Sequence, residues 1–218
     1  MVIEEVFFKH KGGKYTYKFH KEKIKQLCNG FVSLGGYLDF VSKNCPNHFF
    51  NTGPRSSLLK FKLVDEINGI DGHEISYYAK YGLEINKDRF ADAHSKVQNF
   101  MVEHDKNTIA MEVPIWLMPN EIAGYNSLFK SKEVLTGHID LLRIENDTIW
   151  IWDYKPHAHK EIYASTQIFF YAYMLSKRTG IPLEKFRCGY FDKNFTFVFE
   201  PRVSYLYKLN QQVTLKNI

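Results

Sequence analysis

Two aspartates, Asp140 and Asp153, stand among Leu, Ile and Trp in the stretch GHIDLLRIENDTIWIWDYKP, residues 137–156, and Lys155 follows two positions behind the second. Asn146-Asp147, set between two runs of strand formers, predicts a two-residue hairpin turn, because both residues tolerate positive φ. With those two as the loop, Glu145 faces Thr148, Leu142 faces Ile151, Asp140 faces Asp153 and His138 faces Lys155. Side chains alternate along a strand, so these last three pairs share one face. Directly opposed side chains have Cβ atoms about 4.5–5.5 Å apart, and like charges so placed repel. Stability gives no reason to build such a pair. Protonation of one carboxyl, compensation by Lys155, or a divalent cation between the acids would relieve it. Two carboxylates, a phosphate and several waters suit the octahedral shell of magnesium or manganese. Lys155 would then orient or help deprotonate a water, or stabilise charge on the phosphate. The chemistry expected is metal-assisted phosphodiester hydrolysis. The plainer alternative is a solvated edge hairpin whose acids pair with Lys155 or other bases.

Several elements must hold these residues in place. Val2 to Phe8 and Tyr15 to Phe19 read as strands about a Gly12-Gly13 turn, with a short helix from Lys21. The stretch SLGGYLDFVSKNCPNHFFNTGP has no clear period, and Arg55 to Ile67 is expected to be helical, closed by NGIDG. From Lys87 to about His104, Phe90, Ala93, Val97, Phe100 and Met101 recur at helical spacing, and His94 lies on that apolar face. TIAMEVPIWLMP is a strand. Glu161 to Lys177 is a helix ended by TGIP, with Gln167 and Tyr171 at i, i+4 on one side of it. FRCGYFD and FTFVFEP are two further strands. The second half thus runs helix, three strands, helix, two strands, an α/β core without a strict βαβ repeat.

TGHIDLL, then IWIWDYKP, then TQIFFYAYML together resemble the PD-(D/E)xK nuclease superfamily, and within it the RecB-like branch that includes the CRISPR adaptation nucleases. That branch carries G-x-x-D on one strand, D-x-K on the next and Q-x-x-x-Y on the following helix. Gly137 to Asp140, Asp153 to Lys155, and Gln167 with Tyr171 match in order. The resemblance implies a restriction-endonuclease-like α/β (α+β) fold, a central mixed sheet flanked by helices. It further implies that Asp140 and Asp153 bind magnesium or manganese, that the Tyr154 carbonyl adds an oxygen, that Lys155 is catalytic, and that His94 is a further ligand. Gln167 and Tyr171 would position the nucleic acid. Glu103 and Glu112 are fallback acids for the first motif, Glu112 resembling the family's strand before the active hairpin. Some relatives hold an iron–sulfur cluster through one early and three later cysteines. Here only Cys188 follows Cys45, so no cluster is expected.

The 218 residues bound the rest: 44% are hydrophobic, and no run approaches a membrane span of ~18 residues. With no signal-like N-terminus and three scattered cysteines, an intracellular, cytoplasmic protein without a membrane partner is expected. A net charge of +5 favours a polyanionic partner, and seven lysines fall between Lys9 and Lys25 against one acid, Glu22. The organisation expected is an N-terminal hairpin and helical elaboration over 1–85, a nuclease core over 86–205 and a tail over 206–218, in one compact unit. The function implied is a metal-dependent deoxyribonuclease on single strands or DNA ends, in repair, recombination or replication, with a helicase or recombination protein as partner. A nucleic-acid-binding accessory protein of degenerate activity, or a resolvase or restriction-like endonuclease, is the alternative.

Overall fold

The computed structural model describes residues 2–207, so the expected tail lies outside the described residues from 208 onward. The chain opens with β1 (Ile3–His10) and β2 (Gly13–His20), paired antiparallel from Ile3↔His20 to His10↔Gly13. Gly12, in the turn between them, takes φ 100°, a conformation that favours glycine. α1 (Lys21–Leu27) follows, and α2 (Val32–Asn44) occupies the stretch that showed no clear period. Its Leu34, Leu38 and Val41 are fully buried at helical spacing, while Gly35 and Gly36 dilute the pattern in sequence.

After the short α3 (Phe49–Thr52), the expected helix over Arg55 to Ile67 does not form. One 3-10 turn, Ser56–Leu58, is followed by an irregular strap. Its backbone finds partners outside itself: Leu63 N–H donates to Thr166 Oγ1 at 3.0 Å, and that hydroxyl donates to Phe61 O at 2.8 Å. These contacts satisfy polar groups that a helix would have satisfied internally. Next come β3 (Asn68–Gly69) and α4 (Glu74–Ile85), a helix not among those expected from the sequence. Gly82 in its midst looks like a breaker, yet a Cβ there would stand 3.0 Å from Phe100 Cβ, so glycine lets the next helix approach. That helix, α5 (Ala93–His104), starts later than expected. Asp92 caps it by accepting from Ser95 N–H at 2.8 Å, and Phe90 falls outside.

β4 (Thr108–Leu117), α6 (Tyr125–Phe129), β5 (Leu135–Glu145), β6 (Thr148–Tyr154), α7 (Ala164–Thr179), β7 (Phe186–Phe191) and β8 (Thr196–Phe199) complete the order. α7 begins three residues after the expected start and ends at Gly180 in the left-handed region, φ 72°. The strands form one eight-stranded sheet, β1-β2-β4-β5-β6-β7-β8-β3, mixed because β6 and β7 run parallel while the other pairs are antiparallel. The N-terminal hairpin therefore extends the same sheet through β2 and β4. The architecture is the restriction-endonuclease-like α+β arrangement expected. α7 packs on one face, where Ile168, Phe169 and Leu175 meet Leu142, Ile144 and Ile151. α4 and α5 cover the other, where Ile75, Ala79, Val97 and Met101 meet Leu141 and Trp152.

Arg143 of β5 fastens that second layer. Fully buried, it donates from Nε to Asp105 Oδ2 at 2.8 Å and from Nη2 to Glu74 Oε1 at 2.5 Å. Removing the cation leaves Asp105 buried without compensation, which typically costs about 3–5 kcal/mol. Arg143→Met is expected to lower the unfolding free energy by an amount in that range in urea titrations. A loss under about 1 kcal/mol would show that the ion cluster does not hold α4 and α5 to the sheet.

Candidate active site

Asn146 and Asp147 adopt φ of 49° and 54°, which fixes the β5–β6 turn as a two-residue primed type. The register follows as expected, from Glu145↔Thr148 through Leu142↔Ile151 to Leu141↔Trp152. There the ladder stops. Asp140 and Asp153 are the next residues on each strand, and in place of a further backbone rung Asp140 Oδ2 accepts from Tyr154 N–H at 3.1 Å. The expected backbone rungs between Asp140 and Asp153 and between His138 and Lys155 do not form. Lys155 N–H bonds instead to Phe191 O on β7 at 2.9 Å, while the His138 ring bonds to His10 at 2.9 Å and stacks on Tyr15. The strands part because β6 continues alongside β7 as β5 stays with β4.

Both layers of helices reach the gap so opened. From α7, Gln167 Nε2 donates to Asp153 Oδ1 at 3.2 Å and to Tyr171 Oη at 2.7 Å, and its Oε1 accepts from Lys155 Nζ at 3.2 Å. From α5, His94 Nε2 comes to 3.9 Å from Asp140 Oδ2, its ring edge-on to Tyr154 at 5.2 Å. Gly137 of the G-x-x-D stretch has a steric duty: a Cβ there would lie 2.4 Å from Tyr171 Cε1 and 2.6 Å from Ser56 Oγ. Only glycine lets the tyrosine lie against β5. The fold thus gathers His94, Asp140, Asp153, Tyr154, Lys155, Gln167 and Tyr171 in one place.

The fallback acids separate. Glu103 sits toward the other end of α5 in a two-pronged contact with Arg89, at 2.8 and 2.9 Å. Glu112 belongs to the site. Met111↔Leu141 and Val113↔Ile139 are paired on either side of it, which puts Glu112 and Asp140 at the same level of adjacent strands. Three carboxylates therefore cross β4, β5 and β6 in line. Glu112 also has φ 53°, a left-handed conformation in mid-strand that costs a non-glycine residue about 1–3 kcal/mol. Gln98 Nε2 donates to its Oε1 at 2.8 Å. In sequence, Glu112 sits one residue before the Pro114 dipeptide partner Val113, and nothing local marks its backbone as unusual.

Burial and crowding of like charge set the protonation. Burial first, then the Asp153 and Glu112 carboxylates, push the Asp140 pKa well above the ordinary range. Burial likewise pushes Glu112 up to about 7, with the Gln98 hydrogen bond opposing and Asp153 adding to the rise. Burial works against the Lys155 ammonium, but the Asp153 and Asp140 carboxylates outweigh it and the pKa is raised. Lys155 is thus a cation throughout the neutral range. Partial burial lowers the His94 pKa, leaving a neutral ring with a nitrogen lone pair to offer.

Whether a divalent cation suits these residues turns on Asp153. Asp153 Oδ2 is buried and makes no aligned hydrogen bond; the Lys155 ammonium faces it in an ion pair at 2.6 Å. A buried carboxylate oxygen in that state, with a second carboxylate and a neutral imidazole beside it, fits an oxygen-preferring cation. Among the described residues no three His, Cys, Asp or Glu side chains already close into a cage.

A family model described as the PD-(D/E)XK nuclease superfamily matches residues 63–213, more than half of the chain. The match begins at the strap and takes in α4 as well as the motif-bearing strands. No curated protein matches the chain.

In metal-free protein Glu112 holds its proton more tightly folded than unfolded, since its pKa rises from 4.5 to about 7. Its contribution to stability is full below the unfolded value and is lost as pH climbs through the folded one. Melting followed by circular dichroism in EDTA should show the transition temperature falling from about pH 5 to pH 8, and Glu112→Gln should flatten that fall. Parallel slopes for the two proteins would contradict the assignment.

Proposed function

The chain belongs to the PD-(D/E)XK nuclease superfamily, and on that premise we propose that it is a metal-dependent deoxyribonuclease of the RecB-like branch, acting on single strands or DNA ends. The observation that carries the reading is the line of Glu112, Asp140 and Asp153 with Lys155 and Gln167 at the splayed end of β5 and β6. Asp140, Asp153 and His94, with the Tyr154 carbonyl, are the residues that would hold magnesium or manganese. When bound, such an ion offsets phosphate charge and lowers the pKa of water.

The protein's own groups do the remainder. Lys155, kept cationic by the acids, faces the phosphate oxygen on which charge grows. Gln167 links Lys155, Asp153 and Tyr171, so it fixes the lysine's direction and keeps one oxygen of Asp153 turned away from it. Glu112, with a pKa near neutral, can take up a proton at working pH. The 1–85 segment serves as a nucleic-acid-contacting elaboration, and a helicase or recombination protein would supply unpaired ends.

The basic run over Lys9 to Lys25 is not one clamp. Lys18 pairs with Glu5, Lys21 pairs with Glu4, and Lys23 Nζ donates to the Val102 and Asp105 carbonyls at the end of α5. An accessory protein that binds nucleic acid without cutting it is the second reading, favoured by the close Lys155–Asp153 pair where a cation would sit.

Labelled single- and double-stranded DNA, incubated with magnesium or manganese, tests both. Wild-type protein should cleave, and Asp153→Ala and Lys155→Ala should each lower the rate by at least about a hundredfold. Undiminished cleavage by either variant would remove the proposed site. Absence of cleavage together with no heat of divalent binding at millimolar metal would favour the accessory reading.

A further inference from the structure

One face of the β1–β2 hairpin is built in a way the core does not explain. Val6, Phe8 and Tyr17 turn inward to the main core, and the alternate residues Glu5, Phe7 and Lys9, with their partners Lys18, Thr16 and Lys14, turn the other way. Phe7 is 75% exposed there. Lys9 and Lys14 are direct cross-strand partners, like charges in opposed positions, and among the described residues neither has an ion pair. An exposed aromatic beside two facing lysines gains nothing from folding.

The same face forms a wall of a cleft of about 430 Å³. Phe7, Lys14 and Thr16 line it from the hairpin and Phe90, Ser95 and Asn99 from α5 and the segment before it, and Glu112 and His94 line it too. Asn99 is buried, and its Oδ1 has no hydrogen-bond donor although its Nδ2 donates to Ser95 O at 2.7 Å. The two acids on the walls are already engaged, Glu5 by Lys18 at 2.6 Å and Asp92 by capping α5. The cleft therefore offers the Lys14 cation, with its cross-strand partner Lys9 next to it on the same face of the hairpin, an aromatic face, and in its wall a buried acceptor that lacks a donor. It is of a size for one small-molecule-sized group, and a base-paired duplex does not enter such a space.

We propose that this cleft binds single-stranded nucleic acid, an unpaired base stacking on Phe7 while Lys9 and Lys14 take the flanking phosphates, so that the strand is led toward Glu112 and Asp140. Stacking on an aromatic face tolerates any base, and lysines that release counterions make the binding salt-dependent. The inference rests on the proposed nuclease reading for the direction of the strand alone; the binding site stands on its own geometry.

Fluorescence anisotropy in EDTA, where cleavage is absent, tests it with a labelled short oligothymidine, the corresponding oligouridine, and a duplex of equal length. The single strands should bind more tightly than the duplex, and the DNA and RNA arms identify which backbone is preferred. Phe7→Ala should weaken single-strand binding roughly five- to a hundredfold, and Phe7→Trp should restore it, with melting temperatures unchanged because Phe7 is exposed. The double variant Lys9→Ala, Lys14→Ala should lower the slope of log affinity against log salt by about 1.4. Binding by Phe7→Ala and by the double variant equal to wild type would overturn the proposal, even if the wild type cuts DNA. Phe7-dependent binding without any cleavage would uphold it while the nuclease reading fails.

Discussion

Two buried carboxylates placed side by side at the end of a strand ladder are the constraint around which this molecule is arranged. Asp140 and Asp153 follow directly after the last backbone rung between β5 and β6, with Glu112 level with them on β4. Like charges at such spacing raise each other's cost, and burial multiplies it. The protein offsets the cost with Lys155, with the Tyr154 amide on Asp140 and with Gln167 on Asp153. None of these removes the excess of acid. A site that is under-compensated in this way is fitted to a cation from solution.

The sheet makes the arrangement possible because two strands separate while each keeps another partner. β6 stays with β7 in the parallel part of the sheet, and β5 stays with β4. The gap is then reached from both sides, by His94 on α5 and by Gln167 and Tyr171 on α7. Close packing fixes those helices: Gly82 admits α5 to α4, and Gly137 admits Tyr171 to β5. At Gly189 a Cβ would stand 2.2 Å from a Trp152 ring carbon, so β7 can lie beside β6 only with glycine there. The left-handed backbone at Glu112 lies within this group of acids.

Much of this was legible in the residues, for reasons that differ by element. The β5–β6 register was readable because the turn chemistry of Asn146-Asp147 permits essentially one loop, and a loop fixes every later pair. It fails from the acids onward, where the competing partner, β7, lies far along the chain. Arg55 to Ile67 has a helical composition, but its backbone is claimed by Thr166, a hundred positions away in effect and invisible to local propensity. α4 was hidden by Gly82, whose helix-weakening character is outweighed by a tertiary approach. At the site, the hairpin spacing pointed to Asp140, Asp153 and Lys155, and the family resemblance added His94, Gln167 and Tyr171. The conformation of Glu112 left no local mark, and the division of the basic run into paired and unpaired lysines depends on cross-strand neighbours that only the fold supplies.

The central claim is that the acids of β5 and β6 form a cation site. Diffraction from crystals soaked in manganese, measured for anomalous scattering, tests it most directly. The account predicts a peak within about 2.5 Å of a carboxylate oxygen from both Asp140 and Asp153, with the His94 ring nitrogen turned toward it and Lys155 displaced from Asp153. No peak at saturating manganese, or a peak elsewhere with the Lys155–Asp153 pair intact, would contradict it.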